Sequence, residues 1–294
     1  MKTSLLKNLM TRWAGGAAVV LVMLGGIASQ PAQAQVAATK HNLGSGGTGV
    51  NKFDGTGEIC VFCHTPHGAD TSAAVPLWNR VMASPATYTT YNSLGTSSLD
   101  GATAPVGSVS LACLSCHDGA QAMNVMINAP GSGNYSATGF TLAGAWTGAN
   151  QTAGKISAGL ITNIGTDLKN DHPIGIQYGG GPKAATIPAA PTDYTKTLFN
   201  DPDFNDAKSA SLNGTQVWWV ETASSGAGRQ KTDMQLYTRT ETAYAAAGAG
   251  TIASTVPQPY VECASCHDPH TNVNPTFLRI SNNGSAVCLA CHIK

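Results

Sequence analysis

The sequence predicts a mostly irregular fold with short α-helices and a small β-hairpin. Only 11% of the 294 residues are charged, and the chain holds 33 glycines and 15 prolines, which favour turns over long regular elements. The third observation is that all eight cysteines fall in four C-x-x-C-H motifs spread along the chain. A protein-only core of large size is not expected from this composition.

Residues 1–34 are predicted to be a signal peptide. A basic start (Lys2, Lys7, Arg12) precedes an uncharged apolar stretch from Trp13 to Ala28, and a small-x-small cleavage site ends at Ala34. The apolar stretch is shorter than the roughly 20 residues of a membrane span. An uncleaved membrane anchor is the alternative, and no cysteine lies close enough to carry a lipid.

Cleavage would leave a single domain of residues 35–294. Loss of three basic residues from the 16 Lys+Arg leaves 13, against 16 Asp+Glu. This slightly acidic balance excludes a nucleic-acid partner. Export also agrees with the cysteine motifs, because the cofactor that they indicate is attached after export.

C-x-x-C-H is the attachment sequence of c-type haem: the two cysteines form thioethers, and the histidine is an axial ligand of the iron. Zinc ribbons and redox disulfides also use C-x-x-C pairs, but neither requires a histidine after each pair. The sequence therefore predicts four covalently bound haem c groups, around which the chain is wrapped. The attachment residues are Cys60, Cys63, Cys113, Cys116, Cys263, Cys266, Cys288 and Cys291, and the proximal histidines are His64, His117, His267 and His292.

The other four histidines are candidate sixth ligands, one for each iron: His41, His67, His172 and His270. Iron with two imidazole ligands has no open position for a substrate, so we expect an electron-transfer protein with no catalytic residues. The methionines Met82, Met123, Met126 and Met234 are alternative axial ligands, for which core packing is the favoured role.

The C-H-x-x-H spacing indicates that one motif serves two haems. Two ligands on opposite faces of one iron have Cα atoms about 12 Å apart, whereas three extended residues reach about 10–11 Å. His67 therefore cannot share an iron with His64, nor His270 with His267. The ligand order also repeats, which predicts two related two-haem halves at about 35–130 and 165–294.

Local patterns predict the remaining elements. In the first half we expect a polar arm with His41, a short helix around Leu77 to Arg80, and a helical extension from Ala120 to Met126. Residues 131–164 read as loop. In the second half, Gln216 to Glu221 and Asp233 to Arg239 predict a β-hairpin, and Glu241 to Gly248 a helical turn. Arg80 and Arg279 are candidate partners of haem propionates, with an ordinary surface role as the alternative.

Six segments carry a resemblance to a known family. They are His41-Asn-Leu, Glu58 to His67, Pro76-Leu-Trp-Asn-Arg80, Leu114 to Gly119, Gly165 to Pro173 and Glu262 to His270. Together they resemble the extracellular tetrahaem cytochromes that polymerise into filaments ("nanowires"), of the outer-surface cytochrome E type. The likeness spans Lys40 to Lys294.

The resemblance implies a secreted, cell-surface protein that reaches the exterior through the periplasm. It implies haems in alternating parallel and T-shaped stacks, and identical subunits joined head to tail. One axial histidine would cross the interface: by the resemblance His67, with His41 as the alternative. Upstream periplasmic or outer-membrane cytochromes and extracellular electron acceptors would be the other partners. A monomeric periplasmic tetrahaem shuttle and a multihaem oxidoreductase are the alternative functions.

Overall fold

The computed structural model describes residues 35–72, 74–95, 99–131, 133–170, 174–183, 193–222, 228–239 and 257–293. Residues 35–294 form one compact unit. The proposed signal peptide, His172 and the expected helical turn from Glu241 to Gly248 lie outside the described residues. In the described ranges, no helix has the length and apolar character that a membrane crossing requires.

Short helices mark the haem-attachment motifs. Helix α1 is Ser108–His117 and contains the second motif, α2 is Cys263–Cys266, and α3 is Ala286–Cys291. The first motif begins in a single 3₁₀ turn, Cys60–Phe62. Other 3₁₀ turns are Gln35–Ala38, Pro85–Thr87, Tyr91–Leu94, Tyr178–Gly180, Pro275–Phe277 and Asn283–Ser285.

The main sheet has five antiparallel strands in the order β7-β11-β10-β9-β8. The strands are β7 (Ile176–Gln177), β8 (Lys208–Leu212), β9 (Thr215–Val220), β10 (Met234–Arg239) and β11 (Gln258–Val261). Met234 pairs with Val220 and Leu236 with Trp218, so the predicted hairpin is confirmed. The sheet is larger than expected, because β8 extends the hairpin and β11 joins it to β7.

The expectation of loop over residues 131–164 is wrong. The segment contains β3 (Tyr135–Thr141), which pairs with β2 (Val125–Asn128), and β4 (Trp146–Thr147), which pairs with β1 (Lys52–Phe53). Strands β5 (Gln151–Thr152) and β6 (Lys155–Ile156) form a third small pair. Gly154 makes the tight turn between them at a φ of +78°, a conformation that glycine adopts without strain.

Neither expected helix flanking the second motif is formed. Leu77 adopts a φ of +58°, which ends any helix there, and Trp78 forms an antiparallel bridge with His64. The chain after α1 also leaves the helical conformation, at Gly119 with a φ of +69°. Adding a Cβ to Gly119 would place it 2.4 Å from the side chain of Asn163, so only glycine fits this close approach.

The core is divided into three small clusters, and cysteines of the attachment motifs pack against each of them. One surrounds α1 and contacts Cys63 and Cys263. A second lies under the main sheet and contacts Cys266 and Cys291. The third is formed by Phe53, Val61, Phe62 and Met126, and also contacts Cys63. Met126 and Met234 are buried in these clusters and Met123 is buried outside them, which agrees with their favoured role.

Candidate haem-binding site

Three of the four motif histidines are held in the same way. The Nδ1 atom of His64 lies 2.9 Å from the carbonyl oxygen of Pro76. The corresponding distances are 2.8 Å from His117 to Thr162 and 2.8 Å from His267 to Thr276. A histidine that donates from Nδ1 to a carbonyl presents Nε2 to a metal, and the hydrogen bond fixes the orientation of the ring.

The segment from Pro76 to Arg80 holds the first motif in place through hydrogen bonds. We call a supporting segment of this kind a brace. The amide of Thr65 donates to the carbonyl of Leu77, and the amide of Asn79 donates to that of Cys63. The Asn79 side chain then donates to the carbonyl of Val61, inside the C-x-x-C turn, at 2.7 Å. The turn that carries both cysteines is therefore fixed by backbone and side chain together.

The third motif has a brace with the same contacts. The amide of Asp268 donates to the carbonyl of Phe277, and the amide of Arg279 to that of Cys266. The Arg279 side chain donates from Nε to the carbonyl of Ala264 at 3.0 Å. Arg279 thus occupies the place that Asn79 has in the first half.

The brace of the fourth motif precedes it in the chain. The amide of Ile293 donates to Asp203, and the amide of Asn205 donates to Cys291. The Asn205 side chain reaches the carbonyl of Leu289 at 3.2 Å, again within the C-x-x-C turn. Phe204 forms the bridge to His292, and the two ring centroids are 4.2 Å apart.

Sequence reasoning missed these braces because most of their contacts are made by backbone groups. A weak signal was present: a large apolar residue followed by Asn or Arg, in Trp78-Asn79, Phe204-Asn205 and Leu278-Arg279. The predicted role of Arg80 in binding propionates is wrong, whereas that of Arg279 stays a prediction. The guanidinium of Arg80 donates only to protein oxygens at the end of α1. Arg279 binds Ala264 and Lys231 carbonyls.

Two pairs of candidate ligands face each other across a distance that suits a metal ion. The ring centroids of His64 and His270 are 6.4 Å apart, with ring planes inclined by 16°. Those of His41 and His117 are 6.2 Å apart, inclined by 87°. A metal–imidazole bond is about 2 Å long and the ring centre lies about 1 Å behind the nitrogen, so trans imidazoles have centroids about 6 Å apart. The residues therefore fit an iron with two imidazole ligands.

The second ligand of each pair is also oriented through Nδ1. His270 contacts Asp268 Oδ1 at 3.2 Å, and His41 contacts the carbonyl of Pro269 at 3.4 Å. The hydrogen bond with His270 lowers the pKa of Asp268 to about 2, which keeps this carboxylate charged. Burial, followed by the nearby His117, lowers the pKa of His41 to about 4. The ring is thus neutral at pH 7, the form that binds metals.

The thiols of successive motifs lie close together. Burial raises the pKa of Cys63 to about 12, and the neighbouring Cys116 contributes to the same shift. The adjacent Cys263 raises the pKa of Cys113, which places the second motif beside the third. Cys288 similarly adds to the raised pKa of Cys266. Each motif therefore lies in space beside the next motif along the chain. None of the eight cysteines forms a disulfide.

The remaining histidines are placed differently. His67 is exposed, and its backbone carbonyl is held by Asn128 at 2.9 Å. His292 is also exposed and lies against Phe204. Neither has a second imidazole at the distance of the two pairs among the residues that the structure describes.

A scan against protein families matches residues 258–294 to the doubled CXXCH motif. The match indicates a multihaem c-type cytochrome. The third and fourth motifs lie inside the matched residues, and their chemistry is covalent attachment of haem c. Proteins with this doubled motif are in general electron-transfer proteins and not enzymes. No curated protein matches the chain.

Proposed function

We propose that the chain binds four haems, each with two histidine ligands, and passes electrons along them. When bound, each haem supplies an iron that changes between the ferric and ferrous states. The observation that carries the proposal is the pair of imidazole spacings, 6.4 Å for His64 and His270 and 6.2 Å for His41 and His117. Both pairs join residues that are far apart in sequence, and each pair contains one motif histidine and one candidate sixth ligand.

The pairing assigns His270 to the iron of the first motif and His41 to the iron of the second. His270 belongs to the third motif, so this one segment would contact two haems and hold them close together. Its backbone also takes part, since the carbonyl of Pro269 orients His41. The segment from His267 to His270 would thus position the haems of three motifs.

Substitution of the distal ligands tests this pairing. We expect His270→Ala and His41→Ala each to convert one iron to a high-spin form that binds carbon monoxide when reduced. Absorption and electron paramagnetic resonance spectra measure the change. Asp268→Asn is the matched control, because it alters the orienting hydrogen bond and keeps the ligand.

A triple variant identifies the iron concerned. Removing the first haem with Cys60→Ala and Cys63→Ala should abolish the high-spin signal of His270→Ala, and should leave that of His41→Ala. A high-spin signal that persists in His270→Ala without the first haem would contradict the assignment.

We further propose that identical subunits join head to tail, with His67 of one copy bound to the iron at His292 of the next. Both histidines are exposed and each lacks an imidazole partner within the described ranges. Leu77 and Tyr135, which are 50% and 57% exposed, lie near His67, and Tyr135 contacts Gly68. Leu289 and Ile293, which are 44% and 37% exposed, lie near His292. A head-to-tail contact between these two surfaces would cover all four of these apolar side chains.

Such a contact joins two different surfaces and does not close on itself, so it would propagate as a filament. Filament growth outside the cell would extend electron transfer beyond one molecule, to the extracellular acceptors expected from the resemblance. The proposed signal peptide would direct the chain to that location.

A dilution experiment distinguishes a filament-forming protein from a monomeric electron shuttle. If His67 crosses the interface, dilution of the wild type should produce one high-spin iron as filaments shorten, and His67→Ala should form no filaments at any concentration. Electron microscopy and absorption spectra follow both. A wild-type protein that stays monomeric with four low-spin irons would support the periplasmic shuttle instead. Tyr135→Phe is the control, since it keeps the ring that contacts Gly68.

A further inference from the structure

Arg80 is a fully buried cation between the first two haem-attachment motifs. Its exposed fraction is 0%, as is that of Asn79, which precedes it. Asn79 binds the turn of the first motif, and Arg80 binds the turn of the second, where Ser115 lies between Cys113 and Cys116. These two adjacent residues therefore link the C-x-x-C turns of the first and second motifs.

All acceptors of the Arg80 guanidinium are formally neutral. It donates to Ser115 Oγ at 3.1 Å and to Gln121 Oε1 at 2.7 Å. It also donates to four backbone carbonyls: those of Ser115, Ala122, Met123 and Val125, at 2.9 to 3.0 Å. Within the described part of the chain, no carboxylate forms an ion pair with Arg80. A guanidinium stays charged in proteins, so its positive charge is hydrogen-bonded without being neutralised.

The charge lies close enough to influence both motifs. In the first motif it adjoins Asn79, whose side chain donates to the carbonyl of Val61 inside the C-x-x-C turn at 2.7 Å. In the second motif it contacts Ser115 directly. The second motif also has a buried carboxylate beside it, Asp118, which is 8% exposed, follows His117 and accepts from the Tyr88 hydroxyl at 2.9 Å.

We propose that Arg80 raises the reduction potentials of the haems attached to the first and second motifs. This inference rests on the proposed haem binding. A ferric haem that takes up one electron loses one positive charge, so a nearby buried cation favours the reduced form. The first two haems would then hold an electron more readily than they would without Arg80. The hydrogen bonds of Arg80 also shape the chain after α1, so its structural and electrostatic roles have to be separated.

The isosteric change Gln121→Glu separates the electrostatic role of Arg80 from its structural role. It places a carboxylate at the atom that accepts from Arg80 at 2.7 Å and leaves the size of the side chain unchanged. We expect the midpoint potentials of two haems to shift downward, while haem content and thermal stability are retained. Asn213→Asp is the matched control: it makes the same change of charge in the exposed turn between β8 and β9, where solvent screens it.

A second comparison uses Arg80 itself. Arg80→Lys and Arg80→Gln both lose most of the hydrogen bonds, but only Arg80→Lys keeps the charge. We expect both to be less stable, and only Arg80→Gln to have lowered potentials. Spectroelectrochemical titration measures the potentials, with the first-motif and second-motif haems identified by cysteine variants.

Equal midpoint potentials in Gln121→Glu and the wild type would overturn the proposal, as would a shift no larger than that of Asn213→Asp. This outcome is distinct from failure of the proposed function. A chain that binds no haem refutes haem binding, whereas a fully loaded chain with unchanged potentials refutes only the role of Arg80.

Discussion

At the scale of single residues, Asn79 shows how one buried side-chain amide can fix the C-x-x-C turn of the first motif. Its Nδ2 donates to the carbonyls of Val61 and Asn128, at 2.7 and 3.0 Å. Its Oδ1 accepts from the amide of Asn128 at 2.8 Å. The side chain therefore satisfies three buried backbone groups, and it ties the first motif to strand β2.

We expect Asn79→Leu to lower the free energy of unfolding by about 2–4 kcal/mol, because it leaves these backbone groups without partners. Asn283→Ala, at an exposed position, should change it by no more than about 0.5 kcal/mol. Urea denaturation of both variants measures the difference. A loss in Asn79→Leu as small as that in Asn283→Ala would argue against the brace.

The residues that attach haem could be predicted at this scale, whereas the backbone groups that orient the motif histidines could not. Cysteine and histidine are recognised by type and spacing, so the four motifs could be read directly. The Nδ1 acceptors are backbone carbonyls, at Pro76, Thr162 and Thr276, and no side-chain pattern encodes them. The role of Arg80 was mispredicted for a related reason: an arginine next to a haem motif suggests a propionate, but backbone carbonyls occupy its donors.

At the scale of elements, the N-terminal arm is tied to the third motif. The Asn272 side chain donates to the carbonyl of Ala38 at 3.0 Å. The ring of His41 stacks on Phe277 with centroids 4.4 Å apart. An arm rich in glycine would usually be mobile, so these contacts are what hold His41 opposite His117.

In the haem-free chain, where His41 binds no iron, acidification should release this arm. Burial lowers the pKa of His41 to about 4, against about 6.5 in an unfolded chain. The detached arm therefore binds more protons, and stability of the docked state falls as the pH drops from about 6.5 toward 4. Hydrogen exchange of residues 35–42 across this range measures the release.

His41→Leu should remove the pH dependence of that exchange, because it removes the group that takes up the proton. If residues 35–42 exchange equally at both ends of the range in the wild type, His41 does not control docking.

Success in predicting elements followed residue type as well as length, since the seven residues of β3 are mostly small or polar and include Gly139, and this strand was missed. The hairpin of β9 and β10 has six-residue strands with aromatic and β-branched side chains, and it was found. Strands β4, β5 and β6 have two residues each, which is too short for any periodicity. The expected helix at Leu77 to Arg80 failed because its residues bind the first motif instead of one another.

At the scale of the whole molecule, a buried ion pair joins the two halves. Arg239 binds Glu262 at 2.6 Å, with the side chains 4% and 0% exposed. Glu262 also accepts from Ser110 of α1 at 2.5 Å, and Arg239 reaches the carbonyl of Pro105 at 2.8 Å. Gly107 permits this approach, since a Cβ there would lie 2.8 Å from the guanidinium.

We expect Glu262→Ala to reduce the free energy of unfolding by about 3–5 kcal/mol, because it removes a buried carboxylate that both Arg239 and Ser110 bind. Lys208→Ala breaks the exposed pair with Asp193 and should cost about 0–1 kcal/mol. Thermal denaturation compares the two. Similar losses in both variants would show that the buried pair does not hold the halves together.

The carbonyl acceptors of the motif histidines have an evolutionary consequence. Every amino acid carries a backbone carbonyl, so positions 76, 162 and 276 can change residue type without altering how the neighbouring imidazole is aimed. Homologues should therefore vary more at these three positions than at Asn79, Asn205 and Arg279, whose side chains make the contact, with the positive φ of Thr276 (+56°) restricting its replacements.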